Sequence, residues 1–484
     1  MSLRKDTLWT SADILVSSGL AFAFRLLLAR WLSPVDYGIA AMVLATWTIL
    51  QVINEFGLTA TLIQKGRDGV DQNLIETTFA LSTILSFVLL LFSVLIVAPL
   101  SAQYYHVPQV SWLTVILSLG LIAAPFGTLS SALLYRERRF KEIAAVRVAA
   151  TLAGIIVAAA ALIREADAWV VVYQALATQM LSAIGLYYYA RWPLRWQLDR
   201  AAIRQITGFS TLVFLNDMMV SFAGSLPIVV VGRMLGAAEA GMFAVAVLLT
   251  DTMRRSMMAI LNRVMFVHYS MNQSTHAALR KDYKSTQYFN CRATFPLMVF
   301  VILFAPAICT RFLGPQWNEM SATLRILAFS VMIHAAGGTT STLYKAIGKP
   351  GLDLILFLLT SVFLIVPGII IGASLAGLIG AALAILGTKA VSVVIRQIML
   401  DRMIGGTSLD VAAAAMKAVA FQAPMVVLWL ISTSIVSQPL WLWDLILGTL
   451  GLGLSMALSF HAESAQLVRQ LRERISAGSQ SVGS

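Results

Sequence analysis

Charge is scarce in this sequence. Asp, Glu, Lys and Arg make up only 12% of its 484 residues, whereas a soluble globular domain carries about a quarter. Cysteine is scarce too: Cys291 and Cys309 lie in or beside one apolar segment, and their spacing predicts neither a disulfide framework nor a metal site. The chain has no Walker-type nucleotide motif, and its longest soluble segment, near 268–287, has about 20 residues. We therefore predict no cofactor and no use of ATP as the energy source.

Apolar residues, in contrast, are abundant. They form 59% of the chain, and the mean hydropathy is +0.82. A transmembrane helix needs about 20 mostly apolar residues, and backbone polar groups in lipid must be satisfied within the span itself. The sequence therefore predicts an all-α, polytopic membrane protein. The fourteen predicted spans are 8–31, 37–63, 77–99, 109–134, 143–163, 168–190, 208–232, 240–266, 288–310, 320–344, 352–372, 376–398, 411–434 and 441–461.

The basic residues predict how these spans are oriented. The formal net charge is +12, but the basic residues are scattered through short loops, which is typical of topology signals and lipid contacts rather than nucleic-acid binding. With both termini in the cytoplasm, the inner segments carry 22 Lys and Arg residues and the outer segments carry 4. This asymmetry follows the positive-inside rule and favours cytoplasmic termini.

A repeated motif predicts that the chain arose by duplication. Residues 30–41 follow the pattern Arg-x-Leu-x-x-x-acid-x-Gly-x-x-Ala, and the pattern returns without a gap at residues 233–244. Each copy lies between two apolar runs and predicts a tight helical hairpin, in which the acid caps the second helix and the glycine permits close packing. Six spans separate the copies, so the two halves share one orientation. The predicted segments are an N-terminal lobe (1–190), a cytoplasmic amphipathic linker (191–207), a C-terminal lobe (208–400), two further spans (401–462) and a polar cytoplasmic tail (463–484).

The amino-acid sequence of the first 80 residues resembles that of a known family. The stretches FRLLLARWLSPVDYG (24–38) and FGLTATLIQK (56–65) are similar to those of polysaccharide flippases in the multidrug/oligosaccharidyl-lipid/polysaccharide exporter superfamily, in the branch of colanic-acid and other exopolysaccharide exporters. The resemblance implies two parallel six-helix lobes around a central cavity, plus two C-terminal helices, working by alternating access. It also implies a bacterial inner-membrane monomer that exports an oligosaccharide carried on undecaprenyl pyrophosphate, beside polysaccharide polymerase and export proteins.

Basic residues inside the predicted spans are candidates for binding such a cargo. A charge in the membrane is costly and needs a reason, and arginine and lysine both bind phosphate. The alternative is that each cation is neutralised by a nearby acid and only holds helices together. The predicted cationic cavity consists of Arg25, Arg254, Arg255, Lys389 and, nearer a helix end, Arg147.

Acidic and polar residues complete the predicted cavity. Asp251 and Arg255 are four positions apart and predict an ion pair within one helix. We expect the acids to serve as counter-ions, or alternatively to carry protons. The three acids are Glu55, Asp217 and Asp251, and the polar stripe comprises Trp47, Gln51, Asn216 and Asn262.

Three functions are consistent with these sequence features. The favoured function is a flippase that moves a lipid-linked oligosaccharide from the cytoplasmic to the periplasmic leaflet without breaking a bond. A second is a multidrug or peptidoglycan-precursor exporter of the same superfamily. A third, from another class, is a membrane-embedded polysaccharide polymerase or ligase. That enzyme would need a sizeable outer loop, and the predicted outer loops here are short, so we predict that the chain is not an enzyme.

Overall fold

The computed structural model describes residues 3–64, 72–271, 276–435 and 446–458. These residues are almost entirely helical and include no strand. The all-α prediction is therefore confirmed. The predicted tail, 463–484, lies outside the described residues.

The helices before residue 272 include both copies of the repeated motif. A π-helical turn, Ser93–Val97, joins α4 to α5. These helices are α1 (Leu3–Trp31), α2 (Pro34–Glu55), α3 (Leu58–Gln64), α4 (Gln72–Phe92), α5 (Ala98–Tyr105), α6 (Gln109–Ser118), α7 (Gly120–Arg136), α8 (Phe140–Arg164), α9 (Trp169–Ala190), α10 (Arg200–Leu235) and α11 (Ala237–Met271).

The helices after residue 275 are interrupted more often. Two are extended by π-helical turns, Ile308–Leu313 and Leu359–Leu364, and a short 3-10 turn covers Pro315–Trp317. The helices are α12 (His276–Ala307), α13 (Met320–Ala336), α14 (Thr340–Ala346), α15 (Pro350–Leu358), α16 (Ile365–Ile404), α17 (Ser408–Ala420), α18 (Ala423–Ile435) and α19 (Ile446–Leu458).

The number of membrane spans stays a prediction. Among the described residues, ten helical stretches are long and apolar enough to cross a membrane. One of them, Gly351–Ile404, has 54 residues, or about 80 Å of helix, which far exceeds a hydrocarbon core of about 30 Å. The backbone leaves helical geometry at Ala376 and Gly377, where Gly377 has φ +55°. Across this break the backbones of Gly372 and Gly380 approach so closely that a Cβ on either would overlap the other's carbonyl oxygen. The stretch therefore turns back on itself, as two spans would.

In both copies of the repeated motif one helix ends and the next begins: α1 ends at Trp31 and α2 begins at Pro34, and α10 ends at Leu235 and α11 begins at Ala237. In the first copy the cap is Ser33 rather than the acid: its Oγ accepts a hydrogen bond from the backbone N–H of Asp36 at 3.1 Å. Asp36 instead lies in the first turn of α2 and accepts a bond from the Ser33 hydroxyl. In the second copy Gly236, with φ +104°, makes the turn, and Glu239 lies in the first turn of α11. Each acid thus lies where the helix dipole favours it.

The chain forms two compact units. Unit 1 consists of Met1–Leu248 and Ile365–Ala381, and unit 2 consists of Leu249–Leu364 and Ala382–Ser484. The division into two lobes at the linker 191–207 stays a prediction. Within unit 1 the linker has no regular secondary structure before Arg200. Trp192 holds it to the helices: its Nε1 donates to Ser130 Oγ at 2.9 Å, and its ring packs against Phe79.

The two motif glycines meet inside unit 1. A Cβ on Gly38 would overlap the carbonyl oxygen of Ala237, and a Cβ on Gly241 would overlap that of Pro34. Only glycine lets two helix backbones approach this closely. The repeated glycine therefore serves a contact between the two copies of the motif, and not only the packing inside each hairpin.

Candidate functional site

A cluster of cations surrounds one carboxylate in unit 2. Arg254 and Arg255 follow Asp251 by three and four positions on α11, so one face of the helix carries all three. Arg254 binds Asp251 Oδ1 at 2.7 Å, and Arg255 Nε binds Oδ2 at 2.6 Å. Both arginines thus share a single acid, and the ion pair predicted from the sequence is present.

Lys389 reaches the same cluster from another helix. It lies on α16, its Nζ donates to Ser330 Oγ on α13 at 3.3 Å, and it is close enough to Asp251 to interact electrostatically. His334, one turn after Ser330 on α13, lies near Lys389 and Arg254. Three helices of unit 2 therefore bring three of the predicted cations together.

The charge in this cluster is unbalanced. Three formal positive charges face one carboxylate. The side chains of Asp251 and Arg254 are 17% and 14% exposed, whereas that of Arg255 is 57% exposed. An arginine held at one edge by a carboxylate still presents donors to a second anion, and it can bind phosphate through two of them. The cluster is therefore suited to an anionic ligand that approaches from the side of Arg255.

Two of the predicted acids share a separate cavity in unit 1. Glu55 and Asp217 line a cavity of about 240 Å³ together with Phe214, Ser221 and other residues of α2 and α10. The break between α2 and α3 places Glu55 there, because Phe56 takes up left-handed geometry (φ 42°) and ends α2. No basic side chain is among the described residues that line this cavity. The two acids thus line one cavity together.

The polar stripe on α2 runs from a buried residue, Trp47, to an exposed one, Gln51. Trp47 is only 5% exposed, and Gly120 packs beside its ring. Gln51, one turn later, donates from Nε2 to Gln179 Oε1 at 3.1 Å, and Gln179 donates to the Gly120 carbonyl at 3.0 Å. The stripe thus joins α2 to α7 and α9 through amide hydrogen bonds.

The remaining candidates are dispersed. Arg25 is an exposed residue of α1, with no hydrogen bond or ion pair to any residue that the structure describes. Arg147 packs its guanidinium over the Tyr135 ring, 5.8 Å from the centroid. Asn216 donates to Asp217 at 3.1 Å. The side chain of Asn262 lies outside the described residues. The roles of all twelve candidate residues stay predictions.

One buried arginine differs from its sequence-based interpretation. Arg292 lies close to the end of the predicted span 288–310, from where a long basic side chain can extend to the membrane interface. Instead α12 begins at His276, which places Arg292 in mid-helix, only 1% exposed. Its guanidinium lies 3.8 Å from the Tyr288 ring centroid and 5.1 Å from that of Phe421. The sequence feature that indicates this position is the polar segment before the apolar run, which extends α12 so that Arg292 is no longer near its end.

Comparison with known sequences places the chain among polysaccharide export proteins. The profile of the family described as "Polysaccharide biosynthesis protein" matches residues 27–322. The lipopolysaccharide biosynthesis protein WzxC of Escherichia coli (strain K12) is 24% identical over 422 residues, which cover 84% of this chain and 83% of WzxC. The succinoglycan biosynthesis transport protein ExoT of Rhizobium meliloti (strain 1021) is 23% identical over 351 residues, covering 72% and 70% of the two chains.

Comparison with solved structures identifies the fold. The lipid II flippase MurJ, in an inward closed conformation, superimposes with a TM-score of 0.75 at 15% identity, covering 94% of this chain and 99% of MurJ. An inward-facing multidrug transporter of the MATE family superimposes with a TM-score of 0.61 at 15% identity, covering 84% and 95%. The predicted superfamily fold is confirmed, as is the prediction of a transporter rather than an enzyme.

Proposed function

The chain belongs to the polysaccharide biosynthesis protein family, and we propose that it moves a polyprenyl-pyrophosphate-linked oligosaccharide from the cytoplasmic to the periplasmic leaflet. The carrier lipid is undecaprenyl pyrophosphate. The protein acts as a monomer in the bacterial inner membrane with both termini in the cytoplasm, and it delivers its cargo to polysaccharide polymerase and export proteins. Its relatives WzxC and ExoT carry names from polysaccharide biosynthesis and transport.

The observation that carries this proposal is the cation cluster of Asp251, Arg254, Arg255 and Lys389. A pyrophosphate is a dense anion, and it matches an excess of positive charge presented by fixed guanidinium groups. Arg255 binds the head group, while Arg254 and Asp251 hold it in place. A cationic drug would be repelled by the same excess, which makes a multidrug exporter the weaker alternative.

Alternating access is the proposed mechanism. Under the predicted topology, the hairpins at Gly38 and Gly241 lie at the outer surface, where their backbones are in contact. Release of the cargo to the outer leaflet requires these hairpins to separate. The glycines bring the two backbones into van der Waals contact, and each such atom pair contributes little on its own, so the contact suits a surface that opens and closes.

We also propose that Glu55 and Asp217 couple transport to a cation gradient. Glu55 and Asp217 share one small cavity, and no basic side chain is among the described residues that line it. Two like charges at one site repel each other. A proton or a metal cation that enters the cavity relieves this repulsion. Counter-ion pairing with the cargo-binding cations is the alternative role for both acids.

The experiment locates the oligosaccharide in cells that lack this protein, with a leaflet-specific probe for the sugar. We expect completed repeat units to accumulate on the cytoplasmic face and to be cleared by the intact protein. Arg255→Ala should fail to clear them, and Arg255→Lys should clear them poorly, because lysine lacks the two-pronged geometry. Arg402→Ala is the matched control, since Arg402 is also an exposed arginine of unit 2 but lies outside the cluster.

Two results would count against the proposal. If completed units reach the periplasmic face normally without the protein, the chain is not their flippase, and a drug exporter or a later assembly step is favoured. If Arg255→Ala clears the units as well as the intact protein does, the cation cluster is not the cargo site.

A further inference from the structure

A cavity of about 600 Å³ lies where α8 ends and α9 begins, and none of the twelve candidate residues is among the described residues that line it. Its lining combines aromatic, acidic and basic side chains: Trp169, Tyr173, Glu165, Asp167 and Arg164. All of them belong to unit 1. Under the predicted topology, the connection between α8 and α9 faces the periplasm. The volume is within the usual range for small-ligand sites, about 300–1,000 Å³.

Two stacked aromatic rings form one wall of this cavity. Trp169 and Tyr173 lie one turn apart on α9, so their side chains share a face of the helix. Their ring centroids are 5.6 Å apart, and the ring planes differ by 26°, so the rings are stacked. Tyr173 is 40% exposed. A pair of stacked, accessible rings presents an apolar surface that suits the C–H face of a sugar ring.

Polar groups surround this wall. Asp167 accepts a hydrogen bond from the backbone N–H of Trp169 at 2.9 Å, and this bond fixes one carboxylate oxygen at the start of α9. Glu165 and Arg164 are exposed. Carboxylate and guanidinium groups each form paired hydrogen bonds, and adjacent sugar hydroxyls can accept and donate such pairs. The cavity therefore offers an apolar face and polar edges, as a sugar does.

We propose that this cavity is a saccharide-binding site on the outer face of the protein, and that its ligand is the sugar portion of the exported repeat unit. The identity of the ligand rests on the proposed function. A flipped head group must leave the cation cluster, and a weak outer site gives the sugar portion a place to bind as it does so. The site takes neutral sugars in preference to uronic acids, because its two carboxylates outnumber its one arginine.

Anchoring of Trp169 and Tyr173 in the membrane interface is the competing explanation. Aromatic side chains are enriched at that depth in many membrane proteins. The two carboxylates argue against it here, because they repel the phosphates of lipid head groups. Trp112, on α6, is 69% exposed and is predicted to lie on the same side of the membrane. It is a matched control, since a pure interface residue should behave as Trp112 does.

The test is saturation-transfer difference NMR on the purified full chain in detergent micelles. The probe is the free oligosaccharide of one repeat unit, cut from the exopolysaccharide of the strain that carries this protein. We expect magnetisation transfer to the sugar C–H protons. Trp169→Ala and Tyr173→Leu should each weaken binding about tenfold, and Trp169→Phe should retain most of it. Trp112→Ala should bind as the intact protein does.

The proposal is overturned if the intact chain shows no transfer with the oligosaccharide at about 10 mM. It is also overturned if Trp169→Ala and Tyr173→Leu bind normally, or if Trp112→Ala loses binding equally. Thermal melting of each variant shows that it is folded. The binding assay and the leaflet assay test different proposals. If the chain binds the sugar but its presence does not change where the oligosaccharide accumulates in cells, the proposed function is wrong while the binding site stands.

Discussion

Gly38 and Gly241 each pack against the backbone of the other's helix. A Cβ on Gly38 would overlap the carbonyl oxygen of Ala237, and a Cβ on Gly241 would overlap the carbonyl oxygen of Pro34. Ala237 and Pro34 occupy the same place in the two copies of the motif, 203 positions apart, as the two glycines do. The contact is thus made twice, by equivalent atoms, and a change at either glycine affects both hairpins.

Gly38→Ala should lower the free energy of unfolding and loosen this contact. The added methyl group has no space, and overpacking of this kind costs about 1–3 kcal/mol. We expect a lower melting temperature in detergent. We also expect a cysteine at the buried position Ala41, which is 7% exposed, to react faster with a membrane-impermeant maleimide when Ala41→Cys is combined with Gly38→Ala. The native Cys291 and Cys309 are both buried and should contribute little labelling.

Gly19→Ala is the control for this substitution. Gly19 is also a helical glycine, and a Cβ there would meet nothing within 4 Å. Because alanine favours a helix over glycine by about 0.5–1 kcal/mol, this variant should be at least as stable as the intact protein. Equal stability and equal labelling in the Gly38→Ala and Gly19→Ala variants would show that the glycine contact is unimportant.

Glu55→Gln and Asp217→Asn should remove the pH dependence of transport. A carboxyl group in the shared cavity changes its charge as it takes up a proton, whereas an amide keeps one charge state at every pH. We expect the rate of oligosaccharide flipping in vesicles to become independent of pH in either variant. Glu137→Gln is a suitable control, because Glu137 is exposed and forms an ion pair with the nearby Arg139 at 3.4 Å. An unchanged pH profile would exclude both acids from coupling.

Asp251→Asn should destabilise the protein far more than Asp410→Asn. Each aspartate binds two cations, but Arg254 is only 14% exposed, whereas Arg280 and Lys284 beside Asp410 are 44% and 56% exposed. Losing a partner for a largely buried charge costs about 3–5 kcal/mol, and losing an exposed pair costs about 1 kcal/mol or less. Thermal melting of the two variants measures the difference, and equal melting temperatures would contradict it.

Tyr288→Phe should be more damaging than Arg292→Met. Among the described residues Arg292 has no carboxylate partner, and its Nε and Nη1 atoms lack hydrogen bonds. Its one hydrogen bond runs from Nη2 to the Tyr288 hydroxyl at 2.6 Å. Losing that hydroxyl leaves a buried charge unsatisfied, at a cost of about 1–3 kcal/mol, while methionine fills the space without a charge. Thermal melting decides between the two; a larger loss for Arg292→Met would show that the arginine itself is stabilising.

The fold could be predicted from the sequence because its main signals are local. Apolar runs, hairpin glycines and the asymmetry of basic residues each act within one span or one loop, and together they predicted an all-α membrane transporter. The sequence also predicts a break near Ala376 and Gly377, since the apolar runs 352–372 and 376–398 are predicted as separate spans.

The candidate sites could be predicted only in part from the sequence, because they depend on which helices become neighbours in the fold. Asp251 and Arg255 could be paired from their spacing on one helix. The sequence could not show that Lys389 joins them, or that Glu55 and Asp217 share a cavity, since those contacts cross between helices. Arg292 was misplaced because a helix can continue beyond its apolar run, and no hydropathy pattern marks where such an extension becomes buried.

The doubled glycine contact has an evolutionary consequence. When equivalent atoms of two copies touch each other reciprocally, the copies are related locally by a two-fold rotation, and such a surface is self-complementary. Before the duplication, one hairpin of this kind could therefore have paired with a second molecule of itself. The contact between Gly38 and Gly241 thus has the geometry of a symmetric homodimer interface, enclosed within a single chain.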